Sequence, residues 1–256
     1  MAAALVTGAA RRIGLKIAER LAAAGYDLAI HSSEVSLAEA GEAATRLGRN
    51  GIRTFVVAAD LLDPDAPALI VRDAAKALGP LALLVNNASI FEEDTAFAID
   101  PDLWARHLAI NLRAPLLLAQ EFVRQVPDGQ DAAVVNIIDQ RVWRPTPQFF
   151  SYSLTKAALW WATRTMAQAF APRGIRVNAV GPGPVLPNEP QGEGGFATEV
   201  AGVPLRHAVG EDEIASAVLY LAQARSVTGQ MIAVDAGQHL AWETPDIVAG
   251  KSKTKP

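Results

Sequence analysis

The stretch AALVTGAARRIGLKIAERLAAAG, residues 3–25, decides the fold. A short apolar run (AALVT, 3–7) stops at Gly8. An amphipathic pattern follows (13–25), closed by Gly25 as a helix C-cap. This reads as strand, glycine turn, helix. Working outward, the same alternation repeats along the chain. Further strands are expected at 27–31, 52–58, 81–87, 132–138, 175–181 and 230–235. Helices are expected at about 35–49, 64–78, 102–126, 150–171 and 211–223. Pro64 suits a first helical turn, and Pro115 should kink or break the 102–126 helix. Pro172 and Gly174 stop the 150–171 helix. Seven apolar runs separated by helices predict an α/β class and a single domain, with a doubly wound, seven-stranded parallel sheet and helices on both faces. Near-continuous apolar strands agree with this, because parallel strands are covered on both sides.

Composition sets the outer limits. Half of the 256 residues are hydrophobic and 20% are charged, enough for a sizeable core. The net charge of −4, with no charge block before the tail, argues against nucleic acid or an anionic membrane as partner. Cysteine is absent, so no disulfide framework or thiolate metal site is expected, and no metal is called for. The N-terminus has no cationic region and too short an apolar run for a signal peptide. No run approaches the ~20 apolar residues of a membrane span. A soluble, cytoplasmic protein is expected. One domain should cover 1–245, followed by a flexible tail at 246–256. Residues 181–204, GPGPVLPNEPQGEGGFATEVAGVP, read as a long loop serving as a substrate lid.

The turn TGAARRIG (7–14) carries Gly8, Arg11, Arg12, Ile13 and Gly14. Glycines there let the backbone approach a pyrophosphate, and the helix start offers free N–H groups and a positive dipole end. An acid at the end of the second strand would bond a ribose 2′-hydroxyl. His31, Ser32 and Ser33 stand there instead. Hydroxyls and an imidazole can donate to a 2′-phosphate that a carboxylate would repel, and Arg11 and Arg12 add positive charge. The expected cofactor is therefore NADP(H). His31 read alone is equally a surface cap, and Arg11 a solvated charge. Asp60-Leu61, after the third strand, either meets the adenine or caps its own turn.

Tyr152 and Lys156 are four apart on a helix and share a face. An ammonium near a phenol stabilises phenolate, so Lys156 is expected to lower the Tyr152 pKa and fit it for proton transfer near neutrality. Thirteen residues earlier the fifth strand ends in Asp139.

The order and spacing of TGAARRIG, NNAS (86–89), Asn111, Tyr152/Lys156 and GPG (181–183) resemble the short-chain dehydrogenase/reductase family over nearly the whole chain, to about residue 240. The resemblance implies a single Rossmann-like domain and a nicotinamide cofactor touched also by Asn87, Ala88, Ser89, Lys156, Pro182 and Gly183. It implies a catalytic Tyr152–Lys156–Asn111 group, with Asn111 holding a water and the helix geometry behind the pair. The family usually has a serine where Asp139 stands. An ionised aspartate would repel a developing alkoxide, but an acid suits a ring nitrogen that must gain a proton. The Arg-Ile-Gly of the turn, the NNAS followed by Phe91, and Asp139 together resemble the pteridine reductase branch, which includes dihydromonapterin and dihydrobiopterin reductases. In that branch Phe91 would stack on a flat pterin, Ser89 would bond its edge, and Asp139, Tyr152 and Lys156 would relay protons.

The residues leave other readings open. Phe91 alone is as much a core residue as a platform, Ser89 a turn cap, and Asp139 a salt-bridge partner for Arg141 or Arg144. The expected function is NADPH-dependent reduction of a dihydropterin-like N-heterocycle. The alternatives are a carbonyl reductase acting on a 3-oxoacyl thioester or sugar, and a non-catalytic NADP(H)-binding protein. The resemblance also implies a homotetramer built partly from the 102–126 and 150–171 helices. Adjacent Trp160 and Trp161 cannot share one helix face, so one of them is a candidate interface residue.

Overall fold

The computed structural model describes residues 1–187 and 192–241. The expected domain end at 245 and the tail at 246–256 lie outside the described residues. Seven strands form one parallel sheet: β1 (Ala3–Val6), β2 (Asp27–Ser32), β3 (Thr54–Ala58), β4 (Leu81–Asn86), β5 (Ala132–Ile137), β6 (Ile175–Pro182) and β7 (Met231–Val234). Their order is β3-β2-β1-β4-β5-β6-β7, and every neighbouring pair is parallel. The chain thus winds outward from β1 in one direction and from β4 in the other. The crevice at such a switch point, beyond the strand C-termini, is where ligands bind in open α/β sheets.

Helices cover both faces. Helices α1 (Arg12–Ala23) and α2 (Leu37–Gly48) pack on one side with α8 (Glu211–Gln223), around Ile17, Leu21, Leu28, Ile30 and Val218. On the other side α3 (Ala66–Leu78) packs with α5 (Ala114–Gln125) and α6 (Phe150–Phe170), around Leu5, Ile70, Leu84, Leu118, Phe122 and Val177. Strand β5 is buried along its whole length, as the unbroken apolar run requires.

The long 102–126 helix is divided as expected, but not at the proline. It consists of α4 (Pro101–Leu108), a π-helical turn (Ala109–Arg113) and α5. Asp100 starts α4 by accepting from the N–H groups of Asp102 and Leu103. The widened turn is centred on Asn111, and Pro115 falls just after it in the first turn of α5, a position tolerant of its missing N–H. The 181–204 segment also differs from a plain loop. Its start completes β6, and an eleven-residue helix, α7 (Gly192–Gly202), lies within it; residues 188–191 are outside the described residues. Glu199 of α7 accepts from Gln238 Nε2 at 2.8 Å, which ties this helix to the turn after β7.

A chain of buried polar side chains links the sheet to α6. Asn86 Nδ2 donates to Asn136 Oδ1 at 2.8 Å, and Asn136 Nδ2 donates to Thr163 Oγ1 at 2.8 Å. It fastens β4, β5 and α6 just below the crevice, and Asn136 and Thr163 are fully buried. Removing the middle member leaves a donor and an acceptor unpaired. Asn136→Ala is expected to cost about 2 kcal/mol, roughly one or two buried unsatisfied groups, measured by denaturant unfolding. A loss under about 0.5 kcal/mol, far below that range, would refute the assigned role.

Candidate active site

The site is a cleft of about 1030 Å³ over the C-terminal ends of β1, β2, β4, β5 and β6. It is lined by Gly8, Arg11, Arg12, Ile13 and Gly14, by His31, Ser32 and Ser33, and by Asp60 and Leu61. Asn87, Ala88, Ser89 and Phe91 contribute from β4, Asp139 from β5, Tyr152 and Lys156 from α6, and Pro182 and Gly183 from β6.

The first turn is built by close approach. Gly8 has φ +62, and a Cβ on Gly14 would lie 2.1 Å from the Gly8 carbonyl oxygen and 2.6 Å from Asn87 Nδ2. Asn87 Nδ2 donates to the carbonyls of Thr7 (2.9 Å) and Gly8 (3.1 Å), while Thr7 Oγ1 accepts from the N–H groups of Asn87 and Ala88. Asn87 therefore shapes the turn through its side chain. Arg12 sits at φ +52, uncommon for a residue with a side chain. Among the described residues, neither Arg11 nor Arg12 is in an ion pair, and both are exposed.

His31 departs from expectation. It is 2% exposed, its Nδ1 accepts from the Gly8 N–H at 3.3 Å, and its Nε2 lies 3.2 Å from the Ala59 carbonyl. Burial pushes the imidazole down to about 4, so it is neutral near pH 7. Both nitrogens are committed to backbone, and His31 braces the glycine turn with no proton left to offer a phosphate. Ser32 is different: its hydroxyl is buried at the cleft and has no partner. Asp60 caps its own turn through the Leu62 N–H at 2.9 Å, while still lining the cleft. Gly183 donates its N–H to the Val234 carbonyl and lies against Asp235.

Asp139 and Tyr152 do meet. The Tyr152 hydroxyl donates to Asp139 Oδ2 at 3.0 Å. Asp139 Oδ1 accepts the Arg141 backbone N–H at 2.8 Å, and Arg141 Nη1 reaches Oδ2 at 3.3 Å. The aspartate thus holds both the tyrosine and one of the two arginines considered; Arg144 instead donates to the Gln238 carbonyl. Lys156, 3% exposed, donates to the Ile137 carbonyl at 2.9 Å. Burial pulls its ammonium down to about 8, against the opposing pull of the Asp139 charge. The tyrosine moves opposite to expectation. Burial, reinforced by Asp139, holds the Tyr152 phenol well above its usual value, although Arg141 pulls the other way. Tyr152 is therefore a phenol at neutral pH, a proton donor and not a phenolate.

Asn111 is fully buried, but its side chain contacts Ser89 and Ile90. Oδ1 accepts from the Ile90 N–H at 2.9 Å and Ser89 Oγ at 3.1 Å, and Nδ2 donates to the Ile90 carbonyl at 2.9 Å. It fixes the chain leading to Phe91. The same bond commits the Ser89 hydroxyl.

Phe91 lies with its centroid 4.7 Å from the Tyr152 ring, edge to face, and it stacks on Phe149 at 4.0 Å and 14°. Sequence reasoning missed Phe149. It holds the left-handed conformation (φ +54) at the start of α6, a geometry that no pattern of residue types announces for a phenylalanine. Arg141 was considered only as a salt-bridge partner. Its guanidinium carbon is 5.5 Å from the Phe91 centroid and 5.3 Å from that of Phe149. Near-equal distances from two stacked rings place it beside the pair, and not over either face.

The sequence profile described as enoyl-(acyl carrier protein) reductase matches residues 8–239. The chain belongs to the short-chain dehydrogenase/reductase family. It is an oxidoreductase by that membership. A short-chain type dehydrogenase/reductase of Picea abies is 30% identical over 248 residues, covering 92% of this chain and 91% of that one. The 3-oxoacyl-[acyl-carrier-protein] reductase FabG of Staphylococcus aureus is 29% identical over 241 residues, covering 93% and 98%. The crystal structure of FolM alternative dihydrofolate reductase 1 from Brucella canis, complexed with NADP, is 52% identical with a TM-score of 0.91, covering 96% of this chain and 97% of that one.

The lysine sets the expected pH behaviour of this short-chain reductase site. Lys156 is a cation below about 8 and neutral above it. Reduction should be fast below that pH and fall as pH rises through it, since a neutral amine no longer supplies positive charge or a spare proton. Arginine does not titrate in this range. In Lys156→Arg the alkaline limb of kcat should move upward, and a limb that stays near its wild-type position would remove Lys156 as its origin.

Proposed function

We propose that this chain is an NADPH-dependent reductase of a dihydropterin-like N-heterocycle. The observation that carries the reading is the 3.0 Å bond between the Tyr152 hydroxyl and Asp139 beside the Phe91 ring. A carboxylate there disfavours an alkoxide and favours a ring nitrogen gaining a proton. The likeness to the Brucella reductase supports it.

The residues fit a dinucleotide phosphate. A glycine cradle opens onto the start of α1, Ser32 offers an unpartnered buried hydroxyl, and Arg11 and Arg12 line the same cleft. When bound, NADPH supplies the hydride. Ser32, Ser33, Arg11 and Arg12 would recognise the 2′-phosphate without help from His31. Asp60, Leu61, Ala88, Pro182 and Gly183 line the remaining length. An ammonium has three donors, so Lys156 keeps two for ribose hydroxyls beyond its bond to Ile137. Tyr152 gives its proton to the ring nitrogen, and Asp139 and Lys156 replenish it from solvent. Phe91 presents the stacking surface, and α7 with Val185 and Leu186 closes the rim.

A 3-oxoacyl thioester is the second reading, favoured by the matched profile and the Staphylococcus relative. NADPH consumption by the purified protein should be rapid with a dihydropterin and slow with a 3-oxoacyl thioester. The reverse pattern would overturn the proposal, and tight NADPH binding without turnover on either would make the chain a binding protein. Asp139→Asn should lower pterin turnover about a hundredfold, within the usual range for a lost proton-transfer group.

We further propose, from family membership, a cytoplasmic homotetramer joined partly through α5 and α6. Among the described residues no helix is long and apolar enough to cross a membrane. On α6, Trp160 is partly buried while Trp161 is 69% exposed, with the Arg164 guanidinium 5.6 Å from its ring. Light scattering should return four copies, and Trp161→Glu should give smaller species. A monomeric wild type would refute this assembly.

A further inference from the structure

We propose that Arg141 is a specificity-determining residue that reads the acceptor edge of the substrate. This deepens the reading above and rests on it for the site of binding. Arg141 lines the cleft two residues after Asp139, and its side chain is only 15% exposed. A guanidinium in such a place normally has its donors satisfied. Here Nε is buried and has no partner. The ion pair it does make is loose: Nη1 stands 3.3 Å from Asp139 Oδ2, where a charge-assisted bond is usually about 2.7–2.9 Å. The same oxygen already accepts the Tyr152 hydroxyl. Asp139 is the only ion-pair partner of Arg141 among the described residues.

The surroundings say what the spare donors take. Arg141 flanks the stacked Phe91 and Phe149 rings, 5.5 and 5.3 Å from their centroids. Those rings are 4.0 Å apart, so they contact each other and leave no slot between them. A flat ligand that stacks on Phe91 near Tyr152 takes the place that Phe149 holds. Its rim then meets the Arg141 fork edge-on, in the plane of the ring. A guanidinium fork matches two acceptors side by side. That chemistry is found in the carbonyl–nitrogen edge of an oxo-heterocycle and in a carboxylate attached to one. Engaging it draws Arg141 away from Asp139, so recognition of the ring and release of the acid are one movement. A substrate presenting amino groups along that edge would meet only like donors, and would bind poorly.

The experiment compares wild type, Arg141→Gln and Arg141→Lys on 7,8-dihydropterin, which has no carboxylate, and on dihydrofolate, which has two. Arg141→Gln should raise KM about tenfold or more, the usual worth of a hydrogen bond to a charged group, with a smaller change in kcat. A rise on both substrates assigns the ring edge, and a rise on dihydrofolate alone assigns the carboxylate. Arg141→Lys keeps the charge beside Asp139 but not the fork, and should recover only part of the affinity. An unchanged KM on both substrates, or an equal fall in kcat that lysine fully restores, would reduce Arg141 to a counter-ion for Asp139 and overturn the proposal. The melting shift produced by NADPH should be the same in all three proteins, which separates this effect from misfolding. If wild type reduces neither compound, the functional reading fails. Binding of both compounds, followed by isothermal titration calorimetry, then decides the role of Arg141. Weaker binding by Arg141→Gln supports it. Equal binding, or none by any of the proteins, overturns it.

Discussion

Two amide protons on one side chain hold this molecule's working end together. Asn87 Nδ2, at the end of β4, donates to the carbonyls of Thr7 and Gly8 at the end of β1. Those strands part the two halves of the sheet, so the bond spans the point where the winding reverses. Everything nearby is fitted around it. Gly14 must lack a side chain because Asn87 and the Gly8 carbonyl occupy the space. His31 must stay neutral because it accepts the Gly8 N–H from the other side. The Thr7–Ala9 part of the turn is held by protein partners, while the start of α1 has no side-chain cap and keeps N–H groups for an anion.

The electrostatics of the reacting end follow from burial. Tyr152 and Lys156 are both nearly sealed from water, and burial favours the neutral form of each. It therefore raises the phenol and lowers the ammonium. Asp139 strengthens the first shift and opposes the second. The lysine does not create a phenolate by proximity. Its ammonium is bound to the Ile137 carbonyl and lies 5.5 Å from the Tyr152 ring, while a carboxylate touches the hydroxyl itself. An acid beside a tyrosine keeps the tyrosine protonated, and reduction of a ring nitrogen calls for a protonated donor.

Much of this was legible in the residues. Strands buried on both faces leave unbroken apolar runs, and all seven were visible to within a few residues at their ends. The four-residue spacing of Tyr152 and Lys156 fixed a shared helix face, and Asp139 at the end of an apolar strand was placed beside them. The misreadings have a common cause: side-chain direction is set by packing and not by type. His31 ends a strand as a polar residue, yet its ring turns inward to backbone groups. Asn111 lies in a π turn, and the bonds of its side chain to Ser89 and Ile90 are an additional contact that residue type alone did not announce. Gly and Pro in 181–204 suggested an open loop, but the stretch after Gly192 is helical. Phe149 gave no signal, since its role depends on a backbone conformation that phenylalanine seldom adopts.

The chain between Asp139 and Tyr152 has a consequence for how such a protein diversifies. The two proton-handling groups sit on separate supports, the end of β5 and the first turn of α6, both anchored in the core. The intervening residues carry Arg141, two prolines and Phe149, and form the wall beside the rings. Substitutions there reshape that wall, but Arg141 also bonds Asp139 through its backbone N–H and its guanidinium, so a change at this one position reaches the proton-handling pair as well. The wall and the proton-handling pair therefore meet at a single residue, and a lineage that reshapes the wall at Arg141 must accommodate the aspartate it holds.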